Sequence, residues 1–548
     1  MPSIAVSPKR LPLGNPDFAA LQDQHMIYVD KTKLIEQFAK QTTPLFFSRP
    51  RRFGKSLLIN TLKSLFRDGL RHFRHLEIEK NWHDKTYKVI HLDFSNLDST
   101  NSQNFKRDLV ATILQQFGLV NTIKAYDELG IRGPNIIINE IAEKLSNNSV
   151  VLLIDEYDAP LTHNLDNPER LNEIINTLNL FYSAIKLYTG KFRLIFITGI
   201  TRASHVSIFS AFNNLIDISL DDDVNELLGF TQTDIENFFA PYVENAATAL
   251  NMSTSDVYER MAQYYDGFQF SLNASKTIYN PWSVLSFLKY PKKGFKNYWF
   301  KSAGTSSLVM QYLKVNDTFN PLNYEGSSLF ISEDQLSERY EITKIPSDIL
   351  LFQTGYLTIR KKTHKLAELI FPNTEVEDSI LQLQLAARDL HPDIENYCNI
   401  DRLIQYIDTN DLNSIISIFN AILNDCVSND GNIFNDERSV RDIIYAALPQ
   451  AIELQKSKER TTLKGRSDLE LLTSKTHMVI EFKRTKPNLN AQAALQAAIK
   501  QMKINRYGIG SFQSHKLYRV AMVISTEEKA ILANYAEAID SILSKAKS

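Results

Sequence analysis

Four short runs in the first part of the chain are apolar at nearly every position: Thr43–Phe47 (TPLFF), Val89–Phe94 (VIHLDF), Val150–Ile154 (VVLLI) and Leu194–Thr198 (LIFIT). A strand with one wet face alternates apolar and polar residues. A continuously apolar strand is covered on both faces, which is the condition of a parallel sheet between helical layers. Amphipathic patterns such as Lys55–Phe66 and Leu171–Leu187 lie between the runs. Strand and helix in alternation predict an α/β layer fold with right-handed crossovers.

The remainder changes character. Residues from about 226 read as mostly helical and rich in aromatics: Thr233–Phe239, Asp256–Tyr265, Trp282–Leu288 and Trp299–Leu313. Residues 400–425 read as an amphipathic helical pair. From about 437 the pattern runs helix (Ser439–Leu448), strand (Asp468–Leu472), strand (Met478–Phe482), helix (Ala491–Ile504), strand (Tyr518–Ile524), helix (Glu528–Leu543). The length, 548 residues, exceeds what one core supports and requires several domains. The expected division is 1–225, 226–390 and 391–548.

Composition narrows the function. Lys+Arg total 61 and Asp+Glu 63, so a polyanionic partner must be held by a local patch rather than by the field of the molecule. The only cysteines, Cys398 and Cys426, exclude a disulfide framework or a multi-thiolate zinc site. No stretch has the roughly 18–20 apolar residues needed to span a bilayer, and the N-terminal segment carries no apolar run of signal-peptide length. A cytoplasmic protein with no membrane partner is the expectation.

Ser48–Leu57 (SRPRRFGKSL) follows the first strand and opens a helix. In a phosphate-binding loop, backbone N–H groups and the helix N-terminus surround phosphate oxygens, a lysine reaches the outer phosphates, and the next hydroxyl ligates magnesium. Lys55 and Ser56 fit these roles. Arg52, Phe53, Gly54 and Leu57 complete the loop, and Gly54 permits close backbone approach. The first glycine of GxxxxGK[ST] would fall at Arg49. The run Val150–Ile154 ends in Asp155-Glu156, the Walker B pattern: Asp155 would hold magnesium opposite Ser56 and Glu156 would orient the attacking water. Thr198, at the polar end of the fourth run, is the candidate γ-phosphate sensor. Arg202 is a candidate finger or a surface arginine, and His205 reads as a solvated or capping residue.

Near the C-terminus, Asp468 begins one strand and Glu481-Phe482-Lys483 ends the next. Residues i and i+2 of a strand share a side, so Glu481 and Lys483 point together. Hard oxygen ligands at a sheet edge suit Mg²⁺, an ion that can activate water and neutralise a scissile phosphate. Lys483 would orient that water. Glu437 could add a further acid.

Taken together, Tyr28-Val29-Asp30-Lys31-Thr32, Arg49–Ser56 and Ile154-Asp155-Glu156-Tyr157-Asp158 resemble the prokaryotic AAA-ATPase-like family with a C-terminal PD-(D/E)XK nuclease-like domain. Tyr265-Asp266-Gly267-Phe268, Tyr279-Asn280-Pro281-Trp282 and Phe352–Leu357 extend the resemblance over nearly the whole chain. It implies a P-loop NTPase parallel-sheet domain, a helical lid or middle region, and a restriction-endonuclease-like α/β domain. Arg49 in place of glycine is then family usage. Asp468, Glu481 and Lys483 match the nuclease triad, with Ser467 where the motif has proline. Glu437 matches the helical acid, with Asp442 as competitor, and Gln501 a glutamine on the following helix. The implied activities are an ATPase and a Mg²⁺-dependent nuclease acting on DNA or RNA, with ATP and Mg²⁺ as cofactors and a homo-oligomer as an admissible assembly. The alternative is a nucleotide-dependent switch or interaction protein whose nuclease-like domain binds without cleaving.

Overall fold

In the computed structural model, the residues described are 9–119, 133–203, 214–300, 308–311, 329–363, 365–387, 390, 392–427, 437–448, 454–462, 465–485, 490–508, 515–525, 528 and 530–539. The chain divides into two compact units, one of residues 1–289 and 297–377, the other of 290–296 and 378–548.

All four apolar runs are strands of one parallel sheet in the first unit: β1 Leu45–Ser48, β2 Lys88–Asp93, β3 Val150–Asp155 and β4 Phe192–Gly199, with the short β5 Ile216–Asp217. Their order is β2-β3-β4-β1-β5. Strand β4 is therefore inserted between the strand that precedes the Gly-Lys-Ser loop and the strand that ends in Asp155. Every residue of β3 and β4 is buried, as their composition requires. Helix α1, Lys55–Asp68, packs on β2 and β3. Helix α2, Ser102–Phe117, packs on β2 and on α3, Pro168–Leu187.

The helical middle contains α4 (Gln232–Leu250), α5 (Thr254–Tyr265) and α6 (Pro281–Lys289). It also contains an antiparallel sheet that the apolar-run reading does not anticipate, ordered β6-β8-β7 from β6 Leu329–Ser332, β7 Thr358–Thr363 and β8 Leu366–Ile370. The reason is composition: β7 reads TIRKKT and has one apolar residue. Of the expected helix Trp299–Leu313, residues 301–307 and 312–313 lie outside the described residues.

The second unit holds a mixed sheet ordered β13-β12-β11-β10-β9. Its strands are β9 Gln455–Thr462, β10 Gly465–Leu472, β11 Thr476–Arg484, β12 Lys516–Ser525 and β13 Ala530–Ile539. Only β11 and β12 run parallel. Helix α7 spans Glu437–Ala447 and α8 spans Ala491–Asn505. The helix expected over Glu528–Leu543 is corrected: residues 530–539 form a strand antiparallel to β12. Alanines at 530, 533, 536 and 538 raise helix propensity, but tertiary pairing overrides it. Ile531 is buried and Ala533, Tyr535 and Ile539 pack on the core beneath α8, a period of two. No helix among the described residues is long and apolar enough to cross a membrane.

Candidate functional site

The loop between β1 and α1 is built around its lysine. Gly54 adopts φ +103° as the residue before the helix, a conformation open to a residue without Cβ. Lys55 is buried, and its ammonium donates to the carbonyls of Arg49 (2.9 Å) and Pro50 (3.0 Å). Burial lowers its pKa, against the opposing pull of Glu156 and Asp155. Ser56 lies close enough to the Asp155 carboxylate to lower its pKa. Asp155 also accepts the Glu156 N–H at 3.0 Å. Burial lifts the Asp155 carboxyl to about 6 and outweighs the attraction of Lys55. Both partners are thus displaced toward neutrality, because desolvation exceeds their mutual attraction.

A cavity of about 550 Å³ opens on this constellation. Arg52, Phe53, Gly54, Lys55, Ser56, Leu57 and Glu156 all line it. Glu156 has φ +49°, which turns the chain sharply at the end of β3. The Phe53 ring itself is core, edge-on to Phe268 and Phe270. Thr198 stands in β4 opposite Phe47 of β1. It is 1% exposed, and its hydroxyl has no hydrogen-bond partner among the described residues. A buried hydroxyl without a partner is costly, and Thr198 is not among the residues that line the cavity.

Arg49 does not enter this cradle. Its side chain is buried over the rings of Phe47 (4.5 Å) and Phe270 (4.7 Å) and donates to the carbonyls of Ser219 and Val224. Arg202 is neither a finger nor a surface residue: it is buried, ion-paired with Asp217 at 2.8 Å and bonded to the carbonyls of Leu336 and Ser337. His205 lies outside the described residues.

In the second unit, β10 and β11 pair antiparallel with Leu469 opposite Ile480. Asp468 Oδ2 accepts the Phe482 N–H at 2.7 Å, which fixes this carboxylate beside the end of β11. Glu481 is buried, and Lys483 Nζ lies 3.1 Å from its Oε1, the same-side placement expected of i and i+2. The Tyr507 phenol accepts hydrogen bonds from Gln501 Nε2 (3.3 Å) and Asn505 Nδ2 (2.9 Å). Burial raises its pKa, and the charges of Glu481 and Asp468 raise it further, so phenol, glutamine and both acids share one locality. Ser467 donates to Glu470, whose other oxygen meets His477 Nε2 at 2.9 Å; all three are buried. Asp442 is a buried partner of Arg441 at 2.7 Å. Glu437 opens α7, but its side chain lies outside the described residues. Among the described residues, no group of three or more His, Cys, Asp or Glu is placed to hold a metal ion.

A sequence profile described as predicted AAA-ATPase matches residues 12–209, and one described as the PD-(D/E)XK nuclease superfamily matches residues 435–534. An "uncharacterized protein in vnfD 5'region" of Azotobacter chroococcum mcd 1 is 30% identical over 491 residues, covering 87% of this chain and 90% of that protein. The chain belongs to the AAA-ATPase-like family, with a C-terminal module of the PD-(D/E)XK nuclease superfamily. The inserted position of β4 in this AAA-ATPase-like protein places Thr198 next to the loop strand rather than at the sheet edge.

Several residues around these sites escape pattern reading. Asp158 is buried and accepts the N–H groups of Ile200 and Thr201 and the Thr201 hydroxyl, which pins the chain leaving β4. Asp93 ends β2 directly opposite Asp155; the acid closing VIHLDF was a visible signal, parallel to the one closing VVLLID. Trp282, Trp299 and Glu375 contact or support the loop from far along the chain, and no local pattern announces that.

Proposed function

We propose that the AAA-ATPase-like unit binds and hydrolyses ATP with Mg²⁺, and that the PD-(D/E)XK module is a Mg²⁺-dependent nuclease acting on nucleic acid. One observation carries the first part: a buried ammonium rests on two loop carbonyls, with Ser56 close enough to Asp155 to lower its pKa, at the wall of a cavity of about 550 Å³. Phosphate oxygens are stronger partners for that ammonium than neutral carbonyls. The backbone of Arg52–Lys55 and the N-terminus of α1 line the same space and suit an anion. Ser56 and Asp155 offer the hard oxygens that Mg²⁺ takes, and the bound ion supplies charge neutralisation at the phosphates. Glu156, at the cavity wall, would orient the attacking water, and Thr198 would meet the terminal phosphate.

For the second part, Asp468 and Glu481 would hold Mg²⁺, with Glu437 as a further acid. Lys483, already against Glu481, would stabilise the developing charge. Residues 226–390 would act as the lid of the ATPase.

The test uses the full-length chain. ATP binding by calorimetry, phosphate release, and cleavage of duplex and single-stranded DNA and RNA with Mg²⁺ are measured for wild type, Lys55→Ala and Lys483→Ala. The expected result is loss of ATP binding in the first variant and loss of cleavage in the second. Failure of wild type to bind ATP overturns the ATPase assignment. ATP binding with no cleavage in either nucleotide state selects a switch whose second module binds without cutting.

A further inference from the structure

Three consecutive residues of the phosphate loop are held by the part of the first unit that follows the parallel sheet. Pro50 lies so close to Gly355 that a Cβ there would fall 2.7 Å from Pro50 Cγ. The Arg51 carbonyl accepts the Trp299 indole N–H at 3.2 Å. The Arg52 guanidinium lies 4.2 Å from the centroid of the Trp282 ring. Neither tryptophan is free to turn. Trp282 spends its indole N–H on the Tyr298 carbonyl at 3.1 Å. Glu375, fully buried, accepts the Trp299 backbone N–H at 2.8 Å and the hydroxyl of Ser283, next to Trp282, at 2.6 Å.

Arg52 differs from the two lysines of the cavity. Lys55 is spent on loop carbonyls, and Lys31 is paired with Asp234 at 2.6 Å. Arg52 sits in a left-handed turn at φ +70°, lines the cavity, and makes no ion pair among the described residues. A ring beneath a guanidinium attracts it without consuming its N–H donors, and those donors form a fork matched to phosphate.

We propose that Trp282 is a positioning residue and Arg52 a specificity-determining cation of the nucleotide cavity: the indole presents the guanidinium to the polyphosphate, so the site selects ligands by their phosphate chain. This deepens the nucleotide reading above and rests on it.

Dissociation constants for ATP and for AMP, both with Mg²⁺, are measured by calorimetry on the full chain for wild type, Arg52→Gln, Trp282→Leu, Trp282→Phe and the double variant Arg52→Gln/Trp282→Leu. Trp282→Leu is expected to weaken ATP about 2–5-fold, the worth of an exposed cation–π contact, and Trp282→Phe less. AMP affinity should change less than twofold in both. The double variant should bind ATP no more weakly than Arg52→Gln alone, since the tryptophan acts only through the arginine. Multiplying losses, or equal losses for ATP and AMP, overturn the proposal while leaving ATP binding in place. Wild type binding neither ligand overturns the nucleotide reading and the proposal with it. If thermal melting shows Trp282→Leu unfolded, the same cycle is run with Trp282→Phe.

Discussion

Replacing Asp155 with asparagine should stabilise the empty protein while destroying its response to Mg²⁺ and ATP. Burial lifts this carboxyl from 3.8 to about 6, even with Lys55 and the Ser56 hydroxyl lowering it. At about 1.4 kcal/mol per pH unit of displacement, the ionised form costs the fold ~3 kcal/mol. The folded chain holds the proton more tightly than the unfolded one, so stability falls as pH rises from about 4 to about 6 and the loss is complete above that range. Asparagine matches the protonated form in shape and still accepts the Glu156 N–H. Its gain should be ~3 kcal/mol near pH 7.5 and about half of that near pH 5. Thermal unfolding should register a rise of about 3–6 °C at the higher pH. Mg²⁺–ATP at a hundred times its dissociation constant should add ~2.7 kcal/mol to wild type and far less to the variant. A lower melting temperature for Asp155→Asn near pH 7.5, or a gain that does not shrink near pH 5, would refute the reasoning.

Other substitutions probe the loop and the second module. Arg49→Gly restores the usual first glycine of the loop yet should cost ~3–5 kcal/mol in chemical denaturation, because the Ser219 and Val224 carbonyls lose a charged donor inside the protein. Gly355→Ala should destabilise by ~1–3 kcal/mol from backbone strain at φ +87°, and it should weaken ATP binding through the push on Pro50, measured by titration. Glu481→Gln should leave the thermal melt within a few degrees and abolish Mg²⁺-dependent cleavage while retaining nucleic-acid binding; cleavage at the wild-type rate would remove Glu481 from the site.

The parallel sheet was legible because both of its faces are covered, which leaves runs such as VVLLI with no polar position to obscure them. Its strand order was not, since β4 reaches its place between β1 and β3 only by long-range pairing. Lys55, Ser56 and Asp155 stand out in the sequence because phosphate and magnesium would tolerate few side-chain types at those spacings, and the structure brings the three together. The fate of each arginine was not readable. Arg49, Arg52 and Arg202 look alike in a sequence, but one is packed under two phenylalanines, one lies on an indole, and one is ion-paired with Asp217. In the second module, Glu481 and Lys483 follow from strand periodicity alone. Tyr507 does not, because its phenol reaches the acids only after α8 has folded back over the sheet.

The arginine at the first glycine position shows what that glycine is for. Glycine is required where φ is positive or a backbone must approach closely. Here positive φ occurs at Arg52 and Gly54, not at Arg49. The Arg49 N–H instead donates to the Gly199 carbonyl at 3.2 Å, continuing the pairing of β1 with β4 for one more residue. A residue without positive φ accepts any side chain that finds room, and the Arg49 side chain finds it outside the cavity lining. Burial lowers the guanidinium pKa to about 9, so the placement carries a desolvation cost. The return is geometric. The same residue sends its side chain to the carbonyls of Ser219 and Val224 and its own carbonyl to Lys55 Nζ. The segment after β5 thereby fixes the height at which the loop presents its lysine, so a substitution at Ser219 or Val224 that moves its backbone should reach the proposed nucleotide site without touching it.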